Sequence, residues 1–587
     1  MVKIIADNIL SPLGETTRDN LLAVRDYRSK LHAHKLWQVR EPFVASLFDE
    51  GAERPTYELL LLSSIVRCLD GCRLSGRVVL VLSSTKGHTI GPDAHTFGES
   101  AGRIERIIRP LLPKVESLTS LTVSNACVSG LSALIVARRL LEMGAYDYAI
   151  VAGCDVQSRF IVAGFQSLMA MSPEPCRPFD EDRNGLNLGE AAATIIFKRC
   201  GDDEDVSRQW VAMPGFMRND AYHISTPSRT SEGSCRALTA ALGHMASPLC
   251  ISAHGTATLY NDEMEASAIN RAMGNDASMD EVPVSALKGY FGHTMGAAGI
   301  LETILTMHAL QEGWIPGTRG FNALGTSRPI HVIGRHQTLS PEQMQHPSFI
   351  KMMSGFGGCN TAMGFEFGKD SKGNEGILRD IEGRMCCRGE AKLAEPALSV
   401  HITPEGVTLC GEALPTDGAK GKALLTALYR QYVGDYPKFY KMDLLSRLGF
   451  IAAELLFQKE GAHAAFDQSR AVLLFGQSAS CVADRSFEAT IQPGENYFPS
   501  PADFVYTLPN IVLGEIAIRH QLRGETCYFA LSERDDALIH QLVSQAFLDP
   551  ATTSVLFGWL DAPDDDHFSA SLYIFNYHGS NYHELAN

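Results

Sequence analysis

The stretch LTVSNACVSGLSALIVARRLLEMGAYDYAIVAG, residues 121–153, decides the fold. An apolar run ends in a corner of small residues around Cys127, and leucine and isoleucine then recur at helical spacing over about 128–143. Gly144 is a typical helix stop signal, and residues 148–152 form a second apolar run. The stretch therefore predicts a strand, a corner that carries Cys127, a helix and a second buried strand.

The position of Cys127 at a predicted helix start has chemical consequences. The first backbone N–H groups of a helix are unpaired and carry partial positive charge, which favours a thiolate and an oxyanion beside it. Ser129 and Gly130 keep the corner small enough for an acyl group to approach. The alternative is a buried structural cysteine, because a thiol with apolar neighbours usually behaves as a small hydrophobe.

Composition and charge describe a globular chain that is not built to bind nucleic acid. Its 587 residues are 45% hydrophobic and 20% charged, and the net charge of −16 argues against a nucleic-acid surface. The N-terminus has no signal-peptide pattern and no run approaches ~18 apolar residues, so we expect no membrane span. The 14 cysteines show no zinc-binding spacing, which indicates reduced thiols, a cytoplasmic protein and no metal.

Predicted strands and helices alternate along the chain. A helix is expected over residues 57–69 and a β-branched strand over 78–82, and further apolar runs follow at 191–197 and 250–253. Continuous apolar strands separated by helices are typical of a mostly parallel sheet that is covered on both faces. The predicted fold class is α/β.

Two histidines occupy corners similar to that of Cys127. His254 follows a short strand and precedes a helix whose first turns carry Asp262, and His293 lies among glycines and alanines in KGYFGHTMGAAG, residues 288–299. Either histidine alone is more typical of a hydrogen-bonded core residue. Together with Cys127 they form a nucleophile with candidate bases or hydrogen-bond donors.

Two loops complete the pattern. PCRPFDEDRNGLNLGE, residues 175–190, is a charged loop before a buried strand, of the kind that Arg–carboxylate pairs hold together. MMSGFGGCN, residues 352–360, is a glycine turn between two strands. Either loop alone is a weak signal.

In combination, these segments resemble those of the β-ketoacyl synthases, the condensing enzymes of the thiolase-like superfamily. NACVSG, residues 125–130, resembles the nucleophile motif, and the charged loop, both histidine motifs and the glycine turn follow in the family's order. The resemblance covers about residues 1–368. It implies duplicated α-β-α-β-α layers with mixed sheets, in which residues 1–205 carry the nucleophile and residues 206–368 carry both histidines.

The resemblance implies an acyltransferase of the 3-oxoacyl-[acyl carrier protein] synthase type. Cys127 would accept an acyl chain from the phosphopantetheine arm of an acyl carrier protein. A malonyl extender on a carrier would lose carbon dioxide and attack that thioester, in fatty-acid, polyene or polyketide elongation. His254 and His293 would act on the extender; starter-type synthases resemble Cys-His-Asn instead, so we expect elongation.

Further site residues are implied by the same resemblance. Lys288 and Glu302 match positions that support the histidines, and Asp262 is a further supporting residue. The backbone N–H groups of Cys127 and Phe356 would form an oxyanion hole, with the Phe356 side chain near the pocket entrance. No metal and no bound cofactor are implied, and we expect a homodimer.

Two other functions are open to such a chain. A thiolase acts on coenzyme A thioesters and has a second reactive cysteine, for which Cys359 is the candidate, but the pair of histidines argues against it. A non-catalytic ketosynthase-like scaffold or chain-length factor is the other. Retention of Cys127, both histidines and Lys288 argues against that reading.

The C-terminal part resembles a piece of the same family. The segment between Gly87 and Cys127 is short for the family, and its missing part resembles residues 498–524. We therefore predict a linker over residues 369–435 and a degenerate half-ketosynthase over 436–587, in which Glu533 takes the place of the nucleophile. This half is expected to pack beside the catalytic unit as an internal partner, although an independent domain is the alternative.

Overall fold

The computed structural model describes residues 1–48, 54–87, 96–201, 204–245, 247–274, 282–368, 398–461, 468–492 and 497–576, in which strands and helices alternate as predicted. The strands are β1 Val2–Leu10, β2 His32–His34, β3 Phe43–Ser46, β4 Gly76–Ser83, β5 Val115–Val123, β6 Tyr148–Asp155, β7 Leu188–Gly189, β8 Ala191–Arg199, β9 Trp210–Asn219, β10 Cys250–Ser252, β11 Val284–Ser285, β12 Trp314–Ile315, β13 Gln337–Thr338, β14 Ser348–Gly355, β15 Cys359–Phe367, β16 Leu398–Thr403, β17 Gly406–Leu409, β18 Glu412–Ala413, β19 Ala471–Gly476, β20 Thr526–Ala530, β21 Ser554–Asp561 and β22 Ser569–Asn576. The α-helices are α1 Thr17–Arg25, α2 Tyr57–Leu69, α3 Phe97–Ile108, α4 Ser129–Glu142, α5 Arg159–Ser167, α6 Glu232–Leu242, α7 Leu259–Met273, α8 Lys288–Phe291, α9 Ala298–Gln311, α10 Lys422–Leu428, α11 Leu444–Glu460, α12 Cys481–Thr490, α13 Pro501–Tyr506, α14 Ile511–His520 and α15 Asp536–Ala546.

Two mixed sheets with the same strand arrangement form the first part of the chain. In one sheet the order is β5-β4-β6-β8-β1, with β5, β4 and β6 parallel and β8 and β1 antiparallel to their neighbours. In the other it is β11-β10-β14-β15-β9, with β11, β10 and β14 parallel and β15 and β9 antiparallel. The duplication places the strand before Cys127 and the strand before His254 in sheets of the same design.

Helices α4 and α9 cross closely in the layer between these sheets, and their side chains belong to one apolar core. Glycine makes the close crossing possible, because a Cβ on Gly130 would lie 2.7 Å from the carbonyl oxygen of Gly296. Gly130 therefore serves helix packing, and its predicted role in keeping the corner small for an acyl group stays a prediction.

A third sheet, in the C-terminal part, repeats the arrangement of the first. Its order is β20-β19-β21-β22-β16, with the same parallel and antiparallel pairings as β5-β4-β6-β8-β1. Helix α15 follows β20 as α4 follows β5, so the residue two positions before α15 corresponds to Cys127. That residue is the exposed Arg534, one position after the predicted Glu533, and its guanidinium donates to Asp536. The half-ketosynthase-like fold is confirmed, and its nucleophile position holds no thiol.

The predicted linker over residues 369–435 is wrong from residue 398 onward. Residues 369–397 lie outside the described ranges, whereas β16 pairs along its length with β22 and extends the third sheet. Val400 and Ile402 are buried at alternate positions of this strand. This period of two is the strand signal in LSVHIT that the sequence reading overlooked.

The third sheet is hydrogen-bonded to the first. Strand β20 pairs antiparallel with β5, with Phe529 opposite Val123 and Ala530 opposite Thr122. Buried ion pairs also cross between the two parts, and they are Lys86–Asp484 at 2.6 Å, Arg139–Glu525 at 2.7 Å and Arg218–Asp549. The C-terminal part is therefore packed into the same body as residues 1–368.

Thiol and membrane properties of the chain are simple. The twelve cysteines in the described ranges are all free thiols. Among the described residues, no helix combines the length and hydrophobicity that crossing a bilayer requires.

The buried ion pair between Arg139 and Glu525 gives a test of this junction. We expect Arg139→Met to lower the free energy of unfolding by about 3–5 kcal/mol, because it leaves the Glu525 carboxylate buried without its cation. The double variant Arg139→Met/Glu525→Gln should recover at least half of that loss. Urea unfolding measures both values, with the exposed Arg103→Met as the control, for which about 1 kcal/mol or less is expected. A single variant as stable as the control would contradict the prediction.

Candidate active site

The nucleophile turn lies between β5 and α4, and its backbone is strained next to Cys127. Ala126, immediately before it, has a φ of 49°, which is in the left-handed region that is unfavourable for a residue with a Cβ. The hydroxyl of Ser129 stabilises the turn, because it accepts from the Asn125 N–H at 2.8 Å and donates to the Ala126 carbonyl at 2.6 Å. The strain is thus compensated locally, and Cys127 lines a cavity.

The cavity has a volume of about 350 Å³ and brings the predicted reactive residues together. The Cys127 Sγ and ring nitrogens of His254 and His293 all lie within 4.8 Å of one another. At the other end the lining includes Met169 and Tyr260, which are 92% and 74% exposed. The cavity therefore connects the reactive cluster with the protein surface.

His254 is held through its own backbone in the loop between β10 and α7. Its N–H and that of Gly255 donate to the two carboxylate oxygens of Glu265 at 2.5 and 2.8 Å. Its carbonyl accepts from the Nζ of Lys288 at 2.6 Å. Both ends of the residue are therefore fixed by buried ionisable groups, while the ring faces the cavity.

His293 is held by the charged loop, residues 175–190. The His293 N–H donates to the Asn187 carbonyl at 2.7 Å, and its carbonyl accepts from the Gly189 N–H at 3.1 Å. The Met295 N–H donates to Nδ1 of the ring at 3.2 Å, so a neutral ring carries its proton on Nε2. Among the described residues this Nε2 is buried without a partner, which makes it a donor available to a substrate.

Three buried charges lie behind the histidines. The Oε1 of Glu302 forms an ion pair with the Nζ of Lys288 at 2.7 Å, and its Oε2 forms one with the Nζ of Lys351 at 2.6 Å. Lys351 also donates to the carbonyls of Ser252 and Ala253, which lead into the His254 loop. The structure thus places Lys288 and Glu302 beside the histidines and adds Lys351, which the sequence reading missed. A lysine inside the apolar strand SFIKMM was the available signal.

Asp262 supports the loop that carries His254 and does not contact the histidine ring. Its carboxylate accepts from the backbone N–H groups of Phe179 at 2.7 Å and Ala257 at 3.2 Å, so it joins the charged loop to the His254 loop. The carboxylate that contacts His254 itself is Glu265, three residues further along α7. The sequence shows that Glu265 lies about one helical turn after Asp262, but it does not show that Glu265 binds the backbone of His254.

Burial sets the protonation states of the reactive groups. It raises the pKa of the Cys127 thiol to about 12, although the positive charge of Lys288 acts in the opposite direction. It lowers the pKa of His254 and of His293 well below the usual value near 6.5, and Lys288 lowers both further. The resting site therefore holds a neutral thiol and two neutral imidazoles, and burial opposes the thiolate that the helix start would favour. The desolvation of Cys127 outweighs the helix start.

The glycine turn between β14 and β15 lies directly against the nucleophile turn. A Cβ on Gly355 would be 3.2 Å from the backbone nitrogen of Cys127, so only glycine fits there comfortably. The next residue, Phe356, is half-buried in the cavity wall, and its ring lies 6.5 Å from that of Phe165. The structure thus brings the predicted oxyanion-hole residues, Cys127 and Phe356, next to each other.

Comparison with known proteins matches two domains to this chain. The family models are Beta-ketoacyl synthase, N-terminal domain, over residues 119–202, and Beta-ketoacyl synthase, C-terminal domain, over residues 211–322. The curated 3-oxoacyl-[acyl-carrier-protein] synthase 2 of Vibrio cholerae is 31% identical over 264 residues, which are 42% of this chain and 62% of that protein. The chain thus spans less than two thirds of the length of this relative.

Solved structures match the chain as well. One, described as a ketosynthase (ApeO) in complex with its chain length factor (ApeC) from Xenorhabdus doucetiae, is 25% identical with a TM-score of 0.51, and the match covers 62% of this chain and 98% of that one. Another, described as PfaC Keto synthase-Chain length factor, is 12% identical with a TM-score of 0.70 over 98% of this chain and 78% of that one. These matches confirm the predicted thiolase-like fold.

The protonation state of Cys127 can be measured by alkylation. We expect the rate of reaction with iodoacetamide to rise about tenfold per pH unit from pH 7 to pH 10 without a plateau, because only the thiolate reacts and the raised pKa keeps the thiol protonated throughout. Intact-mass time courses give the rate, and Cys127→Ser measures labelling of other thiols. A plateau at or below pH 9 would show an ordinary thiol.

Glu265 gives a second pH-dependent test. Burial raises its pKa from the usual 4.5 to about 7, so between these values the folded protein keeps a proton that the unfolded chain has lost. Its contribution to the free energy of unfolding therefore falls as the pH rises from 5 to 7, by at most about 1.4 kcal/mol per pH unit. We expect the difference between wild type and Glu265→Gln to fall over this range. Glu263→Gln on the same helix is the matched control, and an equal slope for both variants would refute the assignment.

Proposed function

We propose that this chain is a β-ketoacyl synthase, and that it condenses an acyl group bound to Cys127 with a malonyl extender on an acyl carrier protein. The two β-ketoacyl synthase domain models that match residues 119–202 and 211–322 support this assignment. The observation that carries the proposal is the cluster of the Cys127 Sγ and the two histidine rings, within 4.8 Å, in a cavity that reaches the surface. A carrier's phosphopantetheine arm needs such an opening, because its acyl thioester must reach a nucleophile inside the protein. No metal or bound cofactor has a role in the proposed reaction.

In the first step, the Sγ of Cys127 attacks the carbonyl carbon of the acyl thioester. The thiol proton passes to a histidine ring nitrogen that has a free lone pair, since both imidazoles are neutral at neutral pH. The negative charge on the carbonyl oxygen is stabilised by the backbone N–H groups of Cys127 and Phe356. The bond to the carrier's sulfur then breaks, and the carrier leaves as a thiol with the proton from the ring.

In the second step, the bond between the malonyl carboxylate and the α-carbon breaks. Carbon dioxide leaves, and the electron pair forms an enolate whose oxygen accepts from the Nε2–H of His293. Two buried lysines and one buried carboxylate, Lys288, Lys351 and Glu302, give the site positive charge that favours this anion. The enolate carbon attacks the carbonyl carbon of the Cys127 thioester, the bond to Sγ breaks, and the released thiolate takes a proton from water. The product chain is two carbons longer.

The C-terminal part has the position of a partner subunit in this proposal. Its position equivalent to Cys127 is Arg534, so it has no nucleophilic thiol there. The ring centroid of Phe504 in α13 lies 5.5 Å from that of Phe165 at the cavity wall. An acyl chain that grows past Phe165 and Phe356 would meet this part, which gives it a chain-length-factor type of role. Because β20 occupies the free edge of β5, a homodimer of this chain would have to form through other surfaces. Free thiols agree with a cytoplasmic setting.

Intact mass spectrometry tests the proposed reaction. Wild type should gain one acyl mass from an acyl-carrier thioester, Cys127→Ala should gain none, and malonyl carrier should then release a product two carbons longer. A panel of acyl lengths identifies the preferred substrate. If wild type is acylated by no carrier thioester, the proposed function is wrong and a scaffold is the better description.

A further inference from the structure

An asparagine from the C-terminal part contacts the oxyanion-hole residue. Asn510, the N-cap of α14, is fully buried, and its Nδ2 donates to the Phe356 carbonyl at 2.8 Å. The same Nδ2 lies 3.7 Å from the Sγ of Cys359. The contact joins residues 154 positions apart in sequence, so it depends on the packing of the C-terminal part against the catalytic unit.

Glycines allow α14 to lie directly on the glycine turn. A Cβ on Gly357 would be 2.6 Å from the Asn510 Nδ2, and a Cβ on Gly514 would be 2.9 Å from the Gly357 carbonyl oxygen. From the catalytic unit, the Gly357 N–H donates to the Ile224 carbonyl at 2.6 Å, and Asn219 donates to the Gly357 carbonyl at 2.8 Å. The peptide after Phe356 is therefore clamped between the two parts.

Strand β20 holds the nucleophile turn in a similar way. The Thr526 carbonyl accepts from the Asn125 amide at 2.9 Å, and its hydroxyl accepts from Asn219 at 3.1 Å. The Tyr528 carbonyl accepts from the Ser124 N–H at 3.0 Å. Both turns that would form the oxyanion hole are thus hydrogen-bonded to the C-terminal part: the nucleophile turn donates to β20, and the Phe356 carbonyl accepts from Asn510.

We propose that Asn510 is a positioning residue for the oxyanion hole, supplied by the part of the chain that carries no nucleophile. This inference rests on the proposed function. The donor fixes the Phe356 carbonyl, and with it the orientation of the residue whose N–H would face the developing oxyanion. Without the donor a buried carbonyl is left unpaired and the turn relaxes. The oxyanion exists in the transition state and not in the bound substrate, so the loss falls on kcat and not on KM.

Asn510→Leu tests the inference, because leucine has nearly the same shape and donates no hydrogen bond. We expect the acylation of Cys127 at saturating acyl-carrier thioester to slow by about tenfold to a hundredfold, with KM within about twofold. The alkylation of Cys127 by iodoacetamide should be unchanged, because that reaction forms no oxyanion. Asn510→Ser keeps a shorter donor, so its acylation rate should lie between those of wild type and Asn510→Leu. This variant also serves as the test if the leucine variant does not fold.

The matched control is Gln521→Asn at the other end of α14. The Gln521 amide donates to the Ala221 carbonyl across the same junction at 3.3 Å, away from the two turns. We expect wild-type acylation and alkylation rates for this variant. If Asn510→Leu matches wild type in acylation, or if acylation and alkylation slow together, the inference is wrong.

Acylation by p-nitrophenyl acetate separates this inference from the proposed function. This activated ester needs no carrier, yet its reaction with Cys127 forms the same oxyanion. If wild type reacts with the ester but not with carrier thioesters, the proposed function fails, and the ratio of wild-type to Asn510→Leu ester rates still decides the role of Asn510. If wild type reacts with neither, both are overturned.

Discussion

The backbone pairing of β5 with β20 is the constraint on which the active site depends. An open sheet edge exposes unpaired N–H and C=O groups, and β20 covers the edge of β5 just before the nucleophile turn. The Ser124 N–H extends this pairing to Tyr528, so the turn begins already bonded to the C-terminal part. The position of Cys127 is thus set by two sheets and not by its own strand and helix alone.

The electrostatics of the site follow from burial and from an excess of buried lysines over carboxylates behind the histidines. Lys288 and Lys351 share the single carboxylate of Glu302, so the region behind the histidines is positive. This charge, added to desolvation, keeps His254 and His293 neutral, which preserves a base for the thiol and a donor for an anion. The same positive charge would stabilise each anionic species in the proposed reaction. In the resting site the thiol and the two imidazoles are uncharged, so none of them neutralises this positive charge before the substrate binds. A positive surround with uncharged reactive groups is therefore consistent with chemistry that develops negative charge.

Local sequence patterns predicted local structure well and distant contacts poorly. The helix over residues 57–69 and the corner around Cys127 follow from periodicity and small residues, which act over a few positions. The resemblance to the β-ketoacyl synthases and the fold class could be recognised because several motifs occur together in one order along the chain. Lys351 and Asn510 could not be found in this way, because each acts on residues that only the tertiary fold brings near. The linker was wrong for a different reason, since a short alternating strand was hidden in a charged region.

The first and third sheets have the same strand order but differ in the segment that precedes β5 and β20, and this difference has a structural explanation. Between β19 and β20 the C-terminal part contains α12, α13 and α14, whereas the described residues between β4 and β5 contain α3 and one short 3-10 turn. The segment with α13 and α14 does not serve its own sheet alone, since Phe504 packs on Phe165 and Asn510 bonds to Phe356 of the other part. A reciprocal segment from the part that carries Cys127 would reach the surroundings of Arg534, where the corresponding position holds no thiol. The one copy of the segment therefore contacts the part of the chain that carries Cys127, which is where the proposed reaction needs a second part to complete its site.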